Sequence, residues 1–222
     1  MGKSGLSSIA KKLIMSVSGL FLITFLLVHL GANMVAVFSA EAYNAVCHFM
    51  DTNPLIRIMV PVLALGFAIH ILYALLLTLQ NREARGSDRY GCSSKSNISW
   101  ASQNMFVLGL IIVGFLGLHL FHFWAKMQLQ TIKELAGLSA VLCENPYELV
   151  ATLFAQPLYV VIYLVWIGAL WFHLTHGFWS AFQTIGLSNG VWQSRLQALG
   201  TVYAWVVAIG FAFIPLFFII FK

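Results

Sequence analysis

The chain has 222 residues, of which 60% are hydrophobic and only 9% charged, with 12 lysines and arginines against 7 aspartates and glutamates and a net charge of +5. Mean hydropathy is +0.88. Soluble domains hold about 45–50% apolar and about 25% charged residues, so a water-soluble globule and a disordered chain are both excluded, and nothing suggests nucleic-acid binding. The composition predicts an all-α integral membrane protein lying in a lipid bilayer.

A membrane-crossing helix needs about 20 mostly apolar residues. Charge-free runs of that length cover 13–40, 58–81, 96–125, 149–194 and 196–221. The first follows Lys11-Lys12 and looks like the start of a signal peptide. It is longer than the 7–15 apolar residues of such a segment and lacks a small-x-small cleavage site, so it is read as an uncleaved span. The fourth run is too long for one crossing. Gln156-Pro157 gives it a start, since proline fits the first helical turn, and the Gly186–Gly190 turn ends it near Thr184. The expectation is a single transmembrane domain over 1–222, a bundle of five helices, I to V, at about 13–37, 57–80, 103–126, 157–184 and 198–221. Dense Leu, Ile and Phe without alternating polarity argue against a β-barrel. No internal repeat is visible.

Between helices I and II, Tyr43, Val46, Cys47 and Met50 follow helical spacing, Ser39 can cap, and Asn53-Pro54 stops the pattern. A short interfacial helix is expected there, carrying His48 and Asp51. A carboxylate at such a place could exchange protons with a quinone headgroup, although an acid there often simply faces water. His48 is read as a solvated loop residue.

Orientation follows the basic residues. Lys3, Lys11, Lys12, Arg82, Arg85, Arg89, Lys95 and Arg195 fall on one side, against Arg57, Lys126, Lys133 and Lys222 on the other. Glu41, Asp51, Glu134, Glu144 and Glu148 lie opposite the basic side, and Glu83 and Asp88 lie on it. The N-terminus is therefore expected in the cytoplasm and the C-terminus outside, and the basic face suits anionic lipid or an acidic docking partner. Cys47, Cys92 and Cys143 form no C-x-x-C, so neither a thioredoxin-like or zinc motif nor a C-x-x-C-H haem attachment is present. Cys47 and Cys143 both fall in outer loops, where a disulfide is allowed, though they also read as two small apolar residues.

Histidine in hydrocarbon is rare and needs a partner. His29, His70, His119 and His173 fall one apiece in helices I to IV. Four separate histidines, each bonded to a neighbouring helix, is the plain alternative, but one per span in four successive spans points to metal ligation. At 1.5 Å per residue, His29 and His119 lie about 24 Å along two outward-running helices, while His70 and His173 lie about 20 and 24 Å down two inward-running ones. That makes an outer couple, His29 with His119, and an inner couple, His70 with His173. Two couples at two depths suit two six-coordinate haems, b-type because no cysteine attachment exists. Ligation also satisfies a nitrogen that hydrocarbon would leave unpaired. With both axial positions filled, electron transfer is expected rather than oxygen chemistry. Gly66, Gly114, Gly117 and Gly168 could let a flat macrocycle approach, or serve ordinary helix packing. His122 and His176, three residues beyond His119 and His173, could be the ligands instead or could bond a haem propionate. Ser16 and Ser18 could bond a propionate or a quinone carbonyl, or their own helix backbone.

These residues carry a resemblance. Gly19-Leu-Phe-Leu with Val28-His29-Leu, Ala40-Glu-Ala-Tyr-Asn with His48-Phe-Met-Asp51, and Phe172-His173-Leu-Thr-His-Gly177-Phe-Trp179-Ser resemble the single-subunit, dihaem cytochrome b membrane anchor of succinate dehydrogenase and fumarate reductase. The likeness covers almost the whole chain and is most specific in the first and fourth spans. It implies five helices, two b haems held by His29, His70, His119 and His173, and a quinone site for menaquinone, since Asp51 falls where menaquinone-using relatives carry an outer carboxylate. It also implies docking of an iron–sulfur subunit on the cytoplasmic face, with a flavoprotein subunit beyond it, in a bacterial-type inner membrane. The spacing of the fourth-span motif favours His173 over His176. Some fumarate reductase relatives carry a glutamate two residues before the fourth ligand; Trp171 stands there in this chain, and a proton path of that type is not expected. Electrons would pass between the iron–sulfur subunit and quinone through the inner and then the outer haem. That transfer would feel the membrane potential at about 2.3 kcal/mol per charge per 100 mV. No dinucleotide-binding motif is present, so dicarboxylate chemistry is assigned to a partner, and dimerisation of the complex is left open. The alternatives are a cytochrome b subunit of a nitrate reductase, formate dehydrogenase or hydrogenase, which tend to place two ligands on one helix, and a haem-free proton-coupled transporter.

Overall fold

In a computed structural model, residues 5–85, 99–187 and 189–222 are described. Lys3, Asp88, Arg89, Cys92 and Lys95 lie outside them. Among the described residues there are nine α-helices and no strand: α1 Ser8–Phe38, α2 Ala40–Thr52, α3 Pro54–Arg85, α4 Trp100–Gln103, α5 Met105–His122, α6 Gln128–Leu135, α7 Pro146–Phe154, α8 Pro157–Thr184 and α9 Trp192–Phe221. A 3-10 turn, Trp124–Lys126, extends α5. The helices α1, α3, α5 (with its 3-10 turn), α8 and α9 are long and apolar enough to cross a membrane.

The ends of these helices are set by polar caps rather than by the apolar runs. The Ser7 hydroxyl accepts from the Ala10 N–H at 3.2 Å, which starts α1 five residues before the apolar run. Ser39 closes α1 and opens α2: its extended backbone donates N–H to the Val35 carbonyl at 3.1 Å, and its hydroxyl accepts from the Ala42 N–H at 3.1 Å. Asn53 ends α2, and its side-chain oxygen accepts from Leu55 N–H at 2.9 Å at the start of α3. The α2 pattern reads as expected from the sequence, with Tyr43 and Cys47 buried and Val46 and Met50 half-buried. After α8, Gly186 takes φ +85°, a conformation that glycine adopts without strain, and the Leu187 N–H returns to the Phe182 carbonyl at 3.0 Å. Asn189 then folds the turn before α9, its side-chain oxygen accepting from the Val191 and Trp192 N–H groups at 3.1 and 3.0 Å, and that helix begins at Trp192, ahead of the expected start near 198.

Successive spans alternate in direction, leaving a near side where α1 begins and a far side carrying α2, α6 and α7. α8 and α9 make the most extensive contact, and α1 packs against α3, α8 and α9 together. Tyr203 of α9 donates its hydroxyl to the Ile23 carbonyl of α1 at 2.6 Å. By contrast α3 buries none of its described side chains fully and barely touches α5. The larger core cluster lies on the far side, where Tyr43 and Cys47 of α2 and Tyr147, Val150 and Phe154 of α7 close over Ala36, Val160, Ile214 and Phe218 at the span ends. The smaller one joins Leu174 to Ala204 and Val207. The four interior histidines face the looser side of the bundle, between α1, α3, α5 and α8.

Candidate functional site

Each interior histidine is delivered by a different span, and the rings meet in couples. His29 of α1 and His119 of α5 have ring centres 5.7 Å apart with planes at 85°. His70 of α3 and His173 of α8 stand 6.3 Å apart with planes at 68°. These are the couples that the depth arithmetic gives, the first nearer the far side. Two imidazoles binding one ion through one nitrogen each, at about 2.0–2.1 Å, have ring centres roughly 6 Å apart, and both couples fit that spacing. Among the described residues no group of three or more His, Cys, Asp or Glu gathers as it would around a free metal ion.

Among the described residues, the Nδ1 atoms of His119, His173 and His176 and the indole N–H groups of Trp166 and Trp171 are buried without a hydrogen-bond partner. Buried polar atoms are nearly always paired, so the unpaired Nδ1 atoms of His119 and His173, one in each couple, leave room for a group that the chain does not supply. Trp166 lies 5.4 Å from His119, ring centre to ring centre. Around Gly114, Gly117 and Gly168 there is open space, so a flat ring can approach those backbones. Gly66 follows the packing alternative. A Cβ there would come 2.7 Å from the Phe21 ring, so this glycine serves the contact of α3 with α1.

The other candidates fall in several environments. His122 is buried, its Nδ1 3.1 Å from the Tyr163 hydroxyl, with Tyr159 edge-on at 4.7 Å. It is thus engaged by α8 rather than set opposite another histidine. His176 is half-buried, its ring 5.2 Å from Trp179. Ser16 is buried. Ser18 is also buried; its hydroxyl donates to the Met15 carbonyl at 3.0 Å and lies 3.4 Å from His70 Nδ1. His48 is exposed.

Asp51 sits half-buried at the end of α2, over a cavity of about 100 Å³ lined also by Arg57, Val60, Pro61, Gln128 and Thr131. Gln128 at the start of α6 donates its amide N–H to the Asp51 carboxylate, and Arg57 donates Nε–H to the Asp51 carbonyl at 2.7 Å. Sequence reasoning missed Gln128, since nothing in a loop 77 residues away signals its approach. It missed α7 too, although Asn145-Pro146 followed by Glu148 spells a helix start: Asn145 accepts from the Glu148 N–H at 3.2 Å. Asn44 binds this loop to α2, donating to Asn145 at 3.0 Å and accepting the Tyr147 N–H at 2.9 Å.

Cys47 and Cys143 are free thiols. Burial pushes the Cys47 thiol up to about 11; the Tyr43 hydrogen bond opposes this and the Asp51 carboxylate adds to it. Burial also raises the Cys143 thiol and the Tyr43 phenol.

Fold and site together define a multi-pass, all-helical membrane protein whose interior holds two histidine couples at different depths. Sequence comparison finds the succinate dehydrogenase cytochrome b558 subunit of Bacillus subtilis, 22% identical over 193 residues, 86% of this chain and 85% of that one. The resemblance to the succinate dehydrogenase membrane-anchor family read from the histidine motifs is supported by this relative. No family model and no solved structure matches the chain.

Proposed function

We propose that this chain is the membrane-anchor cytochrome b subunit of a succinate:quinone oxidoreductase, succinate dehydrogenase or fumarate reductase. The observation that carries the reading is the double coupling of His29 with His119 and of His70 with His173 at separations suited to two axial imidazoles. In this reading the first couple holds an outer b haem and the second an inner one. Held by these histidines, haem would supply one-electron transfer.

The chain's own residues do the rest. Neutral imidazoles present nitrogen lone pairs inside hydrocarbon, where a charged ligand would be costly. The Trp166 indole, 5.4 Å from the His119 ring, offers an N–H donor beside the first couple. Asp51 takes or gives the proton at a quinone headgroup, and Gln128 and Arg57 hold it in place. The cavity beneath Asp51 is smaller than the roughly 300–1,000 Å³ of a whole ligand site, so it takes the edge of a headgroup while the tail lies in lipid. Menaquinone is the expected quinone. The exposed Lys12, Arg82 and Arg195 on the near side would meet an iron–sulfur subunit in the cytoplasm, with a flavoprotein subunit beyond it, and the C-terminus would lie outside.

The test is purification of the tagged chain from its native membrane in mild detergent. An iron–sulfur and a flavoprotein subunit should copurify, and succinate should reduce a b-type absorbance that a naphthoquinone reoxidises. A colourless chain that travels alone would overturn the reading and leave a proton-coupled transporter in its place.

A further inference from the structure

The backs of the four interior histidines are not held alike. His119 and His173 have an Nδ1 without a partner among the described residues. His29 Nδ1 lies 3.4 Å from the Asn33 amide nitrogen, but that amide donates at 2.8 Å to the His29 carbonyl. His70 alone of the four is met by a group with only acceptor capacity left. Ser18 spends its single hydroxyl proton on the Met15 carbonyl at 3.0 Å, so only lone pairs face His70 Nδ1 at 3.4 Å. The ring can come this close because residue 19 is glycine: a Cβ there would stand 3.3 Å from His70 Cε1 and 3.6 Å from Nδ1.

A neutral imidazole carries one N–H and one lone pair. With the Ser18 oxygen as acceptor at Nδ1, the proton belongs on Nδ1 and the lone pair on Nε2. We propose that Met15, Ser18 and Gly19 form a notch on α1 that fixes the tautomer and tilt of His70, with Ser18 as its positioning residue. The histidine so held is the preset, more basic ligand of the inner couple, whereas its partner His173 takes its orientation from the bound group. This step rests on the reading of His70 as a haem ligand for its purpose, but not for the tautomer itself.

Ring ¹⁵N resonances of selectively labelled, haem-free protein in detergent report the tautomer directly. The wild type should show a protonated Nδ1 at His70. Ser18→Ala should show a mixture of tautomers there, and Ser18→Thr, which keeps the hydroxyl, should restore the wild-type pattern. In haem-loaded protein, Ser18→Ala should raise the midpoint potential of the inner haem, leave the outer one unmoved, and weaken inner haem retention by about tenfold or more. An Nε2-protonated His70 in the wild type, or a Ser18→Ala spectrum identical to wild type, would overturn the notch whatever the haem content. A colourless wild type with the expected tautomer would instead count against the haem reading and leave the notch standing.

Discussion

At the scale of single residues, the chemistry at the far side is set by a few side chains whose partners lie far away in sequence. Asp51 was visible as a carboxylate on a short helix, but its partner Gln128 was not, because pairing between α2 and α6 has no periodic signature. The quinone reading predicts that Asp51→Asn slows quinone turnover by about tenfold or more while both b-haem bands persist, since general acid–base groups contribute at least that much. An unchanged rate in membranes would remove Asp51 from the site. Cys47 offers a second residue-scale test. Its thiol is raised from the usual 9.0 to about 11, chiefly by burial. The neutral thiol is the form the fold favours, so its contribution to stability is present below pH 9 and is lost as pH climbs through about 11. Iodoacetamide labelling of Cys47, followed by mass spectrometry, should be slow at pH 8 and rise steeply toward pH 11. Rapid labelling at pH 8 would show that α7 does not cover it.

Among the secondary elements, some features were legible in the sequence and others were not, for physical reasons. The five spans were legible because hydrocarbon demands long apolar helices, and α2 was legible because Ser39 and Asn53-Pro54 punctuate an amphipathic stretch. The span ends were not, because an apolar window marks only the hydrocarbon part. The 31 residues of α1 run about 46 Å against a core of about 30 Å, and its surplus first turn is placed by Ser7. The role of Gly66 was open between macrocycle and packing, and only the neighbouring helix decides it. Gly66→Ala should push Phe21 aside and cost about 1–3 kcal/mol, seen as a lower thermal midpoint. Gly109→Ala on α5, where nothing lies within 4 Å, should be neutral or slightly stabilising. Equal midpoints for the two variants would show that α1 and α3 do not pack as described.

For the whole molecule, the bundle divides its labour. α8, α9 and α1 form the tight half, braced by Tyr203 on Ile23 and closed on the far side by α2 and α7. α3 and α5 flank the loose half, and each brings one histidine to a partner on the tight half. In lipid there is no hydrophobic drive between helices, so a loose half needs another source of cohesion. Coordination across each histidine couple would supply it by joining α3 to α8 and α5 to α1. The coupling of histidines by depth was legible because helical rise converts sequence position into height; which rings turn toward each other was fixed only by packing.

The most direct measurement is the haem-to-protein ratio of the purified chain and of its single-histidine variants. Two b haems per wild-type chain are predicted, falling to one in His70→Ala or His173→Ala, with the outer haem retained, and to one in His29→Ala or His119→Ala, with the inner haem retained. Full haem content in any of these variants, or a wild type without haem, would contradict the account.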